Sequence, residues 1–394
     1  MKSLVVFGFL SQIFIPKFFL SAASMSSNFS TSPEQRIPSE IRCAQDYELA
    51  AQGTMSEASY AYVAGGTGQD LSVAANLAAF AKWSVYPRVL RDVKEGHTRV
   101  HLGTQTLAHP ILLAPVAFQK LAHPSAEIAT AHAAQAMESC MVCSTLATSP
   151  LEEVAAAAGA EKWFQLYFQT KREDTLQLLR RAEAAGFRAI VVTLDASIQV
   201  ASMRALKAGF RMPEDCLAVN LPQLEQQKIE LSAGASRIFQ GMMLAAPTWS
   251  DLTWLMSQTS LPVWVKGVMH PEDARALQAA GVAGIVVSNH GGRSLDGAPA
   301  SLSVLPAIRA LVGQDFPLLL DGGIRSGTDV FKAIALGANA VLIGRLQMYA
   351  LSVAGALGVA HMIKLLREEL EICMALAGCA TLADIDANAL LPQP

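Results

Sequence analysis

Residues 318–345, LLLDGGIRSGTDVFKAIALGANAVLIGR, contain the unit that decides the fold. An apolar run at 318–323 is followed by an Ala-rich helical stretch that closes at Gly337, and a second apolar run follows at 340–345. Glycine is a common residue at a helix C-terminus. Two short apolar runs joined by a helix predict neighbouring parallel strands, because parallel pairing needs such a crossover.

The same unit recurs along the chain from residue 111 onward. Eight runs can be counted, at residues 111–117, 141–145, 162–167, 189–195, 263–268, 284–290, 318–323 and 340–345. Eight strand–helix units over roughly 250 residues predict an α/β fold of the (β/α)8 TIM barrel type. A doubly wound parallel sheet is the alternative architecture.

The chain outside this repeat divides into four segments. Residues 41–99 are predicted to add helices that pack on or cap the barrel, and residues 196–261 form a long insertion after strand four. The barrel domain is predicted to span 41–386, followed by a C-terminal tail at 387–394. Residues 1–40 are an N-terminal extension whose apolar part is interrupted by Pro16 and Lys17. A later start at Met25, a cleaved signal and a peripheral membrane anchor all stay open for it.

Composition excludes several classes of protein. The hydrophobic fraction of 52% and charged fraction of 16% exclude a disordered chain, and the net charge of −3 speaks against nucleic-acid binding. Six cysteines in 394 residues do not make a disulfide scaffold. Cys140 and Cys143 have metal-like spacing, but they would point to opposite faces of a strand, so we predict no metal site. We expect a cytoplasmic protein, with export or membrane association left open by the N-terminus.

Polar and ionisable residues cluster where the predicted strands end. Because the active sites of such barrels lie at the carboxyl ends of the strands, these residues predict the site. Asp195 after strand four and His290 after strand six suit a general base and the carboxylate that orients it. Strand seven ends in Asp-Gly-Gly, and Arg325 follows two residues later. Strand eight ends in Ile-Gly-Arg, whose arginine is Arg345. Such a pair predicts a phosphate site, the alternative being turn glycines with surface arginines.

The strand ends resemble those of the FMN-dependent 2-hydroxy acid oxidases and dehydrogenases. The most specific stretches are SNHGGRSLD at 288–296 and DGGIRSGTD at 321–329, and YAYVAGG at 60–66 and YPRVL at 86–90 also fit. The resemblance covers residues 41 to about 386. It implies FMN as cofactor and oxidation of an (S)-2-hydroxy acid to the 2-oxo acid, with O2 or a quinone as electron acceptor. Homotetramers are common in that family.

The resemblance also implies roles for individual residues. His290 would take the hydroxyl proton, Asp195 would orient His290, and Tyr167 would hydrogen-bond the substrate oxygen. Lys266 would stabilise the reduced flavin, and Arg293 and Tyr62 would hold the substrate carboxylate. The residues that would contact FMN are Pro115, Val116, Ala117, Ser144, Gln165, Thr193, Lys266, Ser288, Asp321, Gly322, Gly323, Arg325, Gly344 and Arg345.

The chain departs from the family pattern after Asp195. The family commonly has Pro at the second following position and Arg at the seventh, where this chain has Ser197 and Ser202. Either Arg204 substitutes as a substrate-binding residue, or carboxylate binding rests on Arg293 and Tyr62. A higher KM or a different substrate is then expected. Leu146, where glycolate oxidases carry Trp, favours a side chain bulkier than that of glycolate.

Three functional classes therefore stand side by side. An active 2-hydroxy acid oxidase or dehydrogenase is the leading one. An FMN-binding barrel of weak or altered activity is the alternative that Ser202 suggests. An FMN-dependent isomerase or synthase is opposed by the His-Gly-Gly-Arg element at 290–293. The apolar segment at 242–244 favours a lid over the site more than a membrane contact.

Overall fold

Eight parallel strands close into one barrel. The structure is a computed structural model that describes residues 36–198, 200–221 and 234–393. Barrel strands one to eight are Ile111–Leu113, Met141–Ser144, Lys162–Leu166, Ile190–Thr193, Val263–Val268, Gly284–Val287, Leu318–Asp321 and Ala340–Ile343. Each pairs in parallel with its neighbours in chain order, and strand eight pairs with strand one. This closure confirms the predicted barrel and excludes the open doubly wound sheet.

Helices surround the barrel and precede it. Asp46–Thr54, Glu57–Ala64 and Leu71–Ala81 come before strand one, as predicted. The helices that follow the strands are Ala126–Ala136, Leu151–Ala157, Arg172–Ala184, Pro271–Ala279, Ser301–Val312, Gly327–Ala335 and Arg345–Ala377. The insertion after strand four contains Met203–Lys207 and Trp249–Ser257.

The last helix, Arg345–Ala377, is interrupted at Ala354 and Gly355, whose backbone angles are not helical. By length and composition alone it could cross a membrane, but more than half of its most apolar stretch is buried inside the fold. Burial of this kind is typical of a core helix, so the helix gives only weak support to a membrane span.

The alternation of side chains along the strands produces two apolar layers. Inward residues such as Val142, Val191 and Leu319 fill the barrel interior, where a hairpin of Val100–Leu102 and Gln105–Leu107 joins them. Outward residues pack under the helices. Cys140 lies in the inner layer and Cys143 in the outer, so the predicted opposite orientation is confirmed.

Both predicted domain boundaries need adjustment. Leu390–Pro392, expected to be part of a tail, pairs antiparallel with Trp83–Val85, and the Gln393 amide donates to the Lys82 carbonyl at 2.7 Å. The end of the chain therefore satisfies the backbone of an N-terminal strand and belongs to the domain. At the other end, Ile37 already packs against the core. The rest of the predicted extension, residues 1–35, lies outside the described residues.

Strands five and six pack closely at Gly284 of strand six, where there is no room for a side chain. A Cβ atom there would collide with the ring of Trp264 in strand five. That ring lies 4.9 Å from the ring of Trp163, whose Nε1 donates to Gln105 Oε1 at 2.8 Å. The inner layer is thus packed around two indoles and one glycine.

We expect Gly284→Ala to lower the free energy of unfolding by about 1–3 kcal/mol, the usual cost of overpacking a core. Chemical denaturation measures this cost. Gly53→Ala is the matched control, because Gly53 is exposed on a helix and a Cβ there meets nothing within 4 Å. That control should be neutral or stabilising by up to about 1 kcal/mol. Equal effects of the two variants would contradict the packing explanation.

His109, just before strand one, makes the fold sensitive to acid. Burial lowers its pKa to about 4. Its Nε2 donates to the Met137 carbonyl, and its Nδ1 accepts from the Ile111 amide. In the unfolded chain this group takes up a proton near pH 6.5. Stability is therefore full above pH 6.5 and falls as the pH drops toward 4, where the loss levels off.

We expect His109→Asn to flatten the decline of the unfolding free energy between pH 7 and pH 4.5, because Asn does not titrate. Urea denaturation across this range measures it. His132→Asn, which removes an exposed histidine, is the control. If the two variants keep the same slope, His109 is not the source of the acid sensitivity.

Candidate active site

The carboxyl ends of the strands open onto one cavity. The predicted site residues that line it are Tyr62, Pro115, Val116, Ala117, Ser144, Tyr167, Lys266, His290, Arg293, Asp321, Gly322, Gly323, Arg325, Gly344 and Arg345. Gln165, Thr193 and Ser288 are buried at the ends of strands three, four and six. The fold thus brings residues from distant parts of the sequence to one place.

His290 and Asp195 form a hydrogen-bonded pair. His290 Nδ1 lies 2.8 Å from Asp195 Oδ1. Burial raises the pKa of Asp195, but the neighbouring His290 and Lys266 outweigh burial and hold that pKa below its ordinary value. Asp195 is therefore an anion that can only accept, so Nδ1 carries the hydrogen and Nε2 is left as the basic nitrogen. Gly267 is essential for this packing, because a Cβ there would collide with Asp195.

His290 lies in a strained turn that the side-chain amides of Asn76 and Asn289 stabilise. Its φ of 58° lies in the left-handed region, which is uncommon for a residue other than glycine. The preceding residue, Asn289, exchanges hydrogen bonds of 2.8 and 3.0 Å with Asn76, and its Oδ1 also accepts from the Gly292 amide. The side chains of Asn76 and Asn289 are both buried. This reciprocal pair fixes the backbone that presents His290.

Lys266 is a buried cation at the end of strand five. Its Nζ lies 2.9 Å from Asp321 Oδ2 and donates to Ser288 Oγ at 3.1 Å. Ser288 Oγ in turn donates to Asp321 Oδ2 at 2.6 Å. Burial opposes the charge, but Asp321 and Asp195 outweigh it and raise the pKa of Lys266. A fixed positive charge therefore lies at the cavity wall.

Two buried polar atoms near the strand ends have no partner among the described residues, namely Gln165 Nε2 and Thr193 Oγ1. The other end of the Gln165 amide is occupied, since its Oε1 accepts from Ser144 Oγ at 3.3 Å and from the Thr145 amide at 3.1 Å. A buried donor or hydroxyl without a partner costs about 1–3 kcal/mol. Such atoms point to a group that binds there.

Arg293, Tyr62 and Tyr167 form the polar side of the cavity. The Arg293 guanidinium carbon lies 4.9 Å from the Tyr62 ring centre, and its Nη1 donates to the carbonyls of Tyr62 and Gly65 at 2.8 Å. Tyr62 stacks on Phe210 with ring centres 4.3 Å apart. Burial raises the pKa of Tyr167, so its hydroxyl stays protonated as a donor.

The two predicted phosphate arginines line the cavity but already have protein partners. Arg345 donates to the carbonyls of Val63, Gly291 and Gly65 at 2.7–3.0 Å, and burial lowers its pKa to about 10. Arg325 pairs with Glu48 at 2.9 Å. Gly323 is required by packing, because a Cβ there would collide with the Asn76 backbone.

Arg204 does not join these residues. Its guanidinium pairs with Asp70, with Nη2 2.8 Å from Oδ2, and about half of its side chain is exposed. Ser202, in the position where the family commonly has Arg, begins the short helix Met203–Lys207 by accepting from the Ala205 amide. Arg293 is therefore the guanidinium that lies beside Tyr62, whereas the guanidinium of Arg204 is paired with Asp70 outside the cavity.

Comparison with known proteins agrees with this geometry. A family model described as FMN-dependent dehydrogenase matches residues 51–392. The chain belongs to the FMN-dependent dehydrogenase family. The predicted resemblance, the FMN cofactor and the oxidoreductase class are thereby confirmed.

Relatives within the FMN-dependent dehydrogenases are close over most of the chain. An L-lactate oxidase of Alicycliphilus denitrificans is 64% identical and covers 92% of this chain and 100% of its own. Glycolate oxidase 3 of Oryza sativa subsp. indica is 40% identical, with 87% and 94% covered. A crystal structure of mandelate oxidase with (S)-2-phenylpropionate superposes with a TM-score of 0.80 at 40% identity, covering 89% and 98%.

The cavity fits FMN, the cofactor of these dehydrogenases. The unpartnered Gln165 Nε2 and Thr193 Oγ1 suit the polar edge of a flavin ring. Lys266 offers the cation that stabilises a reduced, anionic ring, and Asp321 suits the ribityl hydroxyls. Arg325, Arg345 and the backbone near Gly344, where a Cβ would meet only Ala114 at 3.9 Å, would hold the phosphate. Among the described residues no cluster of His, Cys, Asp and Glu could hold a metal ion.

Sequence reasoning missed Asn76, Thr67 and Phe210. All three lie on segments packed over the barrel mouth rather than at strand ends, so the strand count gave no reason to choose them. One signal for Asn76 was available, because it interrupts the apolar helix Leu71–Ala81 at a position that proves buried.

We expect Thr193→Val to weaken FMN binding about 2–10-fold, the loss of one hydrogen bond, while the apoprotein keeps its stability. Flavin titration of the apoprotein and its thermal denaturation measure the two effects. Thr145→Val is the control, because Thr145 Oγ1 already bonds the Gln165 carbonyl at 2.6 Å, and its loss should destabilise the apoprotein. A destabilised Thr193→Val apoprotein would show that the hydroxyl serves the fold.

Proposed function

We propose that this chain oxidises L-lactate and similar small (S)-2-hydroxy acids to 2-oxo acids, with FMN as cofactor and O2 as the acceptor that forms peroxide. The His290–Asp195 pair beside Arg293 is the observation that carries the proposal. It places a base next to an anion-binding group at the mouth of a flavin-type barrel. The names of the relatives, L-lactate oxidase above all, support the substrate and the acceptor.

Binding and orientation come from the polar side of the cavity. The Arg293 guanidinium, with Tyr62 stacked against it, would hold the substrate carboxylate as a charge-assisted pair. The protonated Tyr167 hydroxyl would donate to the hydroxyl oxygen. Pro115, Val116 and Ala117 form the wall against which the flavin edge would lie.

Proton transfer falls to His290. Its Nε2 would accept the hydroxyl proton, and the Asp195 anion would stabilise the imidazolium that results. When bound, FMN supplies the acceptor for the two electrons of the α-carbon–hydrogen bond. Lys266, charged and buried, would compensate the negative charge that arises at the cofactor site.

Other expectations from the sequence stay predictions. They are a homotetramer, a quinone as alternative acceptor and a cytoplasmic location. The alternative of a barrel with weak or altered activity rests on Ser202. The hydrogen-bonded His290–Asp195 pair and the nearby Arg293 favour an active enzyme over that alternative.

The decisive experiment exposes the FMN-loaded enzyme to L-lactate without oxygen and follows flavin bleaching. We expect rapid bleaching, and with oxygen one peroxide for each pyruvate; D-lactate is the control. Bleaching without peroxide would indicate a dehydrogenase. No bleaching by L-lactate or by any of a panel of 2-hydroxy acids would overturn the proposal.

We further expect His290→Gln to lower kcat by about 10²–10⁴-fold, the usual contribution of general base catalysis. The FMN content, read from the visible absorbance, should stay at the wild-type level, because His290 is assigned to the substrate. Loss of flavin together with activity would contradict that assignment.

A further inference from the structure

The ring of Phe210 packs on the ring of Tyr62, one of the groups assigned to the substrate carboxylate. The two ring centres lie 4.3 Å apart and the ring planes are inclined by 16°, so the rings are stacked. The Tyr62 ring also lies 4.9 Å from the guanidinium carbon of Arg293. Phe210 therefore contacts the proposed carboxylate-binding pair through Tyr62, and it lines a cavity of about 200 Å³ that Tyr62 and Arg293 also line.

The two stacked rings come from separate parts of the chain. Tyr62 lies on the helix Glu57–Ala64 before the barrel, whereas Phe210 belongs to the insertion after strand four. Phe210 follows the short helix Met203–Lys207, and its amide donates to the Ala205 carbonyl at 3.0 Å. A helix of five residues is not stable by itself, so the position of the Phe210 ring depends on what holds this helix.

An ion pair fastens the short helix to the segment that follows Tyr62. Arg204 Nε and Nη2 lie 2.9 and 2.8 Å from Asp70 Oδ2, and Asp70 Oδ1 accepts from the Gly66 amide at 2.6 Å. Asp70 has a φ of 64°, in the left-handed region that is uncommon for residues other than glycine. One carboxylate thus joins the turn after the Tyr62 helix to the helix that presents Phe210.

The same two segments also approach each other through their backbones. Gly68 and Ser202 form a single parallel bridge, and a Cβ atom at Gly65 would collide with Ser202 Oγ. This close approach suits a small side chain at position 202, where the family commonly has arginine. Carboxylate binding then rests on Arg293 and Tyr62, so the orientation of the Tyr62 ring has a larger share in it.

We propose that Phe210 is a positioning residue for the substrate carboxylate, held against Tyr62 by the ion pair between Asp70 and Arg204. Phe210 fixes the plane of the Tyr62 ring beside Arg293, so that hydroxyl and guanidinium are oriented before the substrate arrives. Such preorganisation favours binding, because the side chains lose less freedom when the ligand binds. The proposal rests on the proposed function, which assigns the carboxylate to Arg293 and Tyr62.

A positioning role of this kind predicts an effect on binding rather than on chemistry. The hydrogen bond between His290 and Asp195 does not involve Phe210, so the chemical step should change little. The carboxylate would interact with Tyr62 in the bound substrate and in the transition state alike. Loss of an interaction that is equal in both states raises KM and leaves kcat unchanged.

The first test compares Phe210→Leu with Phe210→Tyr in the FMN-loaded enzyme. Leucine keeps an apolar side chain without the aromatic stack, whereas tyrosine keeps the ring. We expect Phe210→Leu to raise KM for L-lactate and Kd for pyruvate, read from the flavin absorbance, about 3–10-fold, with kcat within about twofold of the wild type. Phe210→Tyr should stay within about twofold of the wild type in all three values, because the stack is retained.

Several outcomes would overturn the proposal. Unchanged KM and Kd in Phe210→Leu would do so, and so would a fall in kcat together with loss of FMN or of thermal stability, which indicates a role in the fold alone. A Phe210→Tyr variant as impaired as Phe210→Leu would contradict the stacking explanation. Pyruvate binding needs no turnover, so a wild type that does not oxidise lactate would remove the proposed function, while the pyruvate Kd still decides the role of Phe210. A wild type that neither oxidises lactate nor binds pyruvate would remove both.

The second test asks whether the ion pair acts through the ring. We expect Arg204→Gln to raise the pyruvate Kd about 2–5-fold, and the double variant with Phe210→Leu to lose no more than Phe210→Leu alone, since coupled residues are not additive. Lys364→Gln is the control, because it removes an exposed ion pair with Glu368 on the last helix and should leave the Kd unchanged. No effect of Arg204→Gln, additive losses in the double variant, or an equal effect of the control would overturn the link between the ion pair and Phe210.

Discussion

The buried ion pair between Lys266 and Asp321 is the interaction on which the rest of the site depends. It joins the ends of strands five and seven, and Ser288, which directly follows strand six, bonds both partners. The same Ser288 hydroxyl accepts a hydrogen bond from the His290 backbone amide at 2.9 Å. The network therefore stabilises the turn that presents the base. Removing one partner of a buried pair typically costs about 3–5 kcal/mol, because the other charge is left alone. The network thus couples the cation at the cofactor site to the position of the base.

Asp195 connects this network to the reaction. It helps to keep Lys266 charged, and Lys266 and His290 in turn keep Asp195 ionised. The glycine after Lys266 gives Asp195 its room. A site of this kind is assembled from chain segments that all need to be in register, and the closed barrel supplies that register.

Most of the barrel and the strand-end residues could be predicted because they follow from local patterns. Apolar runs of fixed spacing define strands, and parallel pairing brings their carboxyl ends together. His290 and Asp195 needed nothing more, whereas the role of Lys266 came from the resemblance to the FMN-dependent family. Arg204, Asn76 and Thr67 could not be placed in this way, since they lie on segments whose position depends on packing over the barrel mouth. For the same reason the pairing of Leu390–Pro392 with Trp83–Val85, across some 300 residues of chain, left no local signal.

The contrast between satisfied and unsatisfied polar atoms gives the site its chemical meaning. The buried carboxylate of Glu127 has four hydrogen-bond donors, and it stabilises the loops near strand two without facing either cavity. Gln165 Nε2, Thr193 Oγ1 and Thr67 Oγ1 are equally buried but have no partner among the described residues. Each such atom costs more than an apolar replacement would, so a bound group that supplies its partner offsets that cost. The first two lie at the strand ends where FMN fits, and the third belongs to a neighbouring cavity that Arg293 also lines. Gln165 and Thr193 therefore mark where a cofactor finds partners, and the His290–Asp195 pair lies at the same barrel mouth.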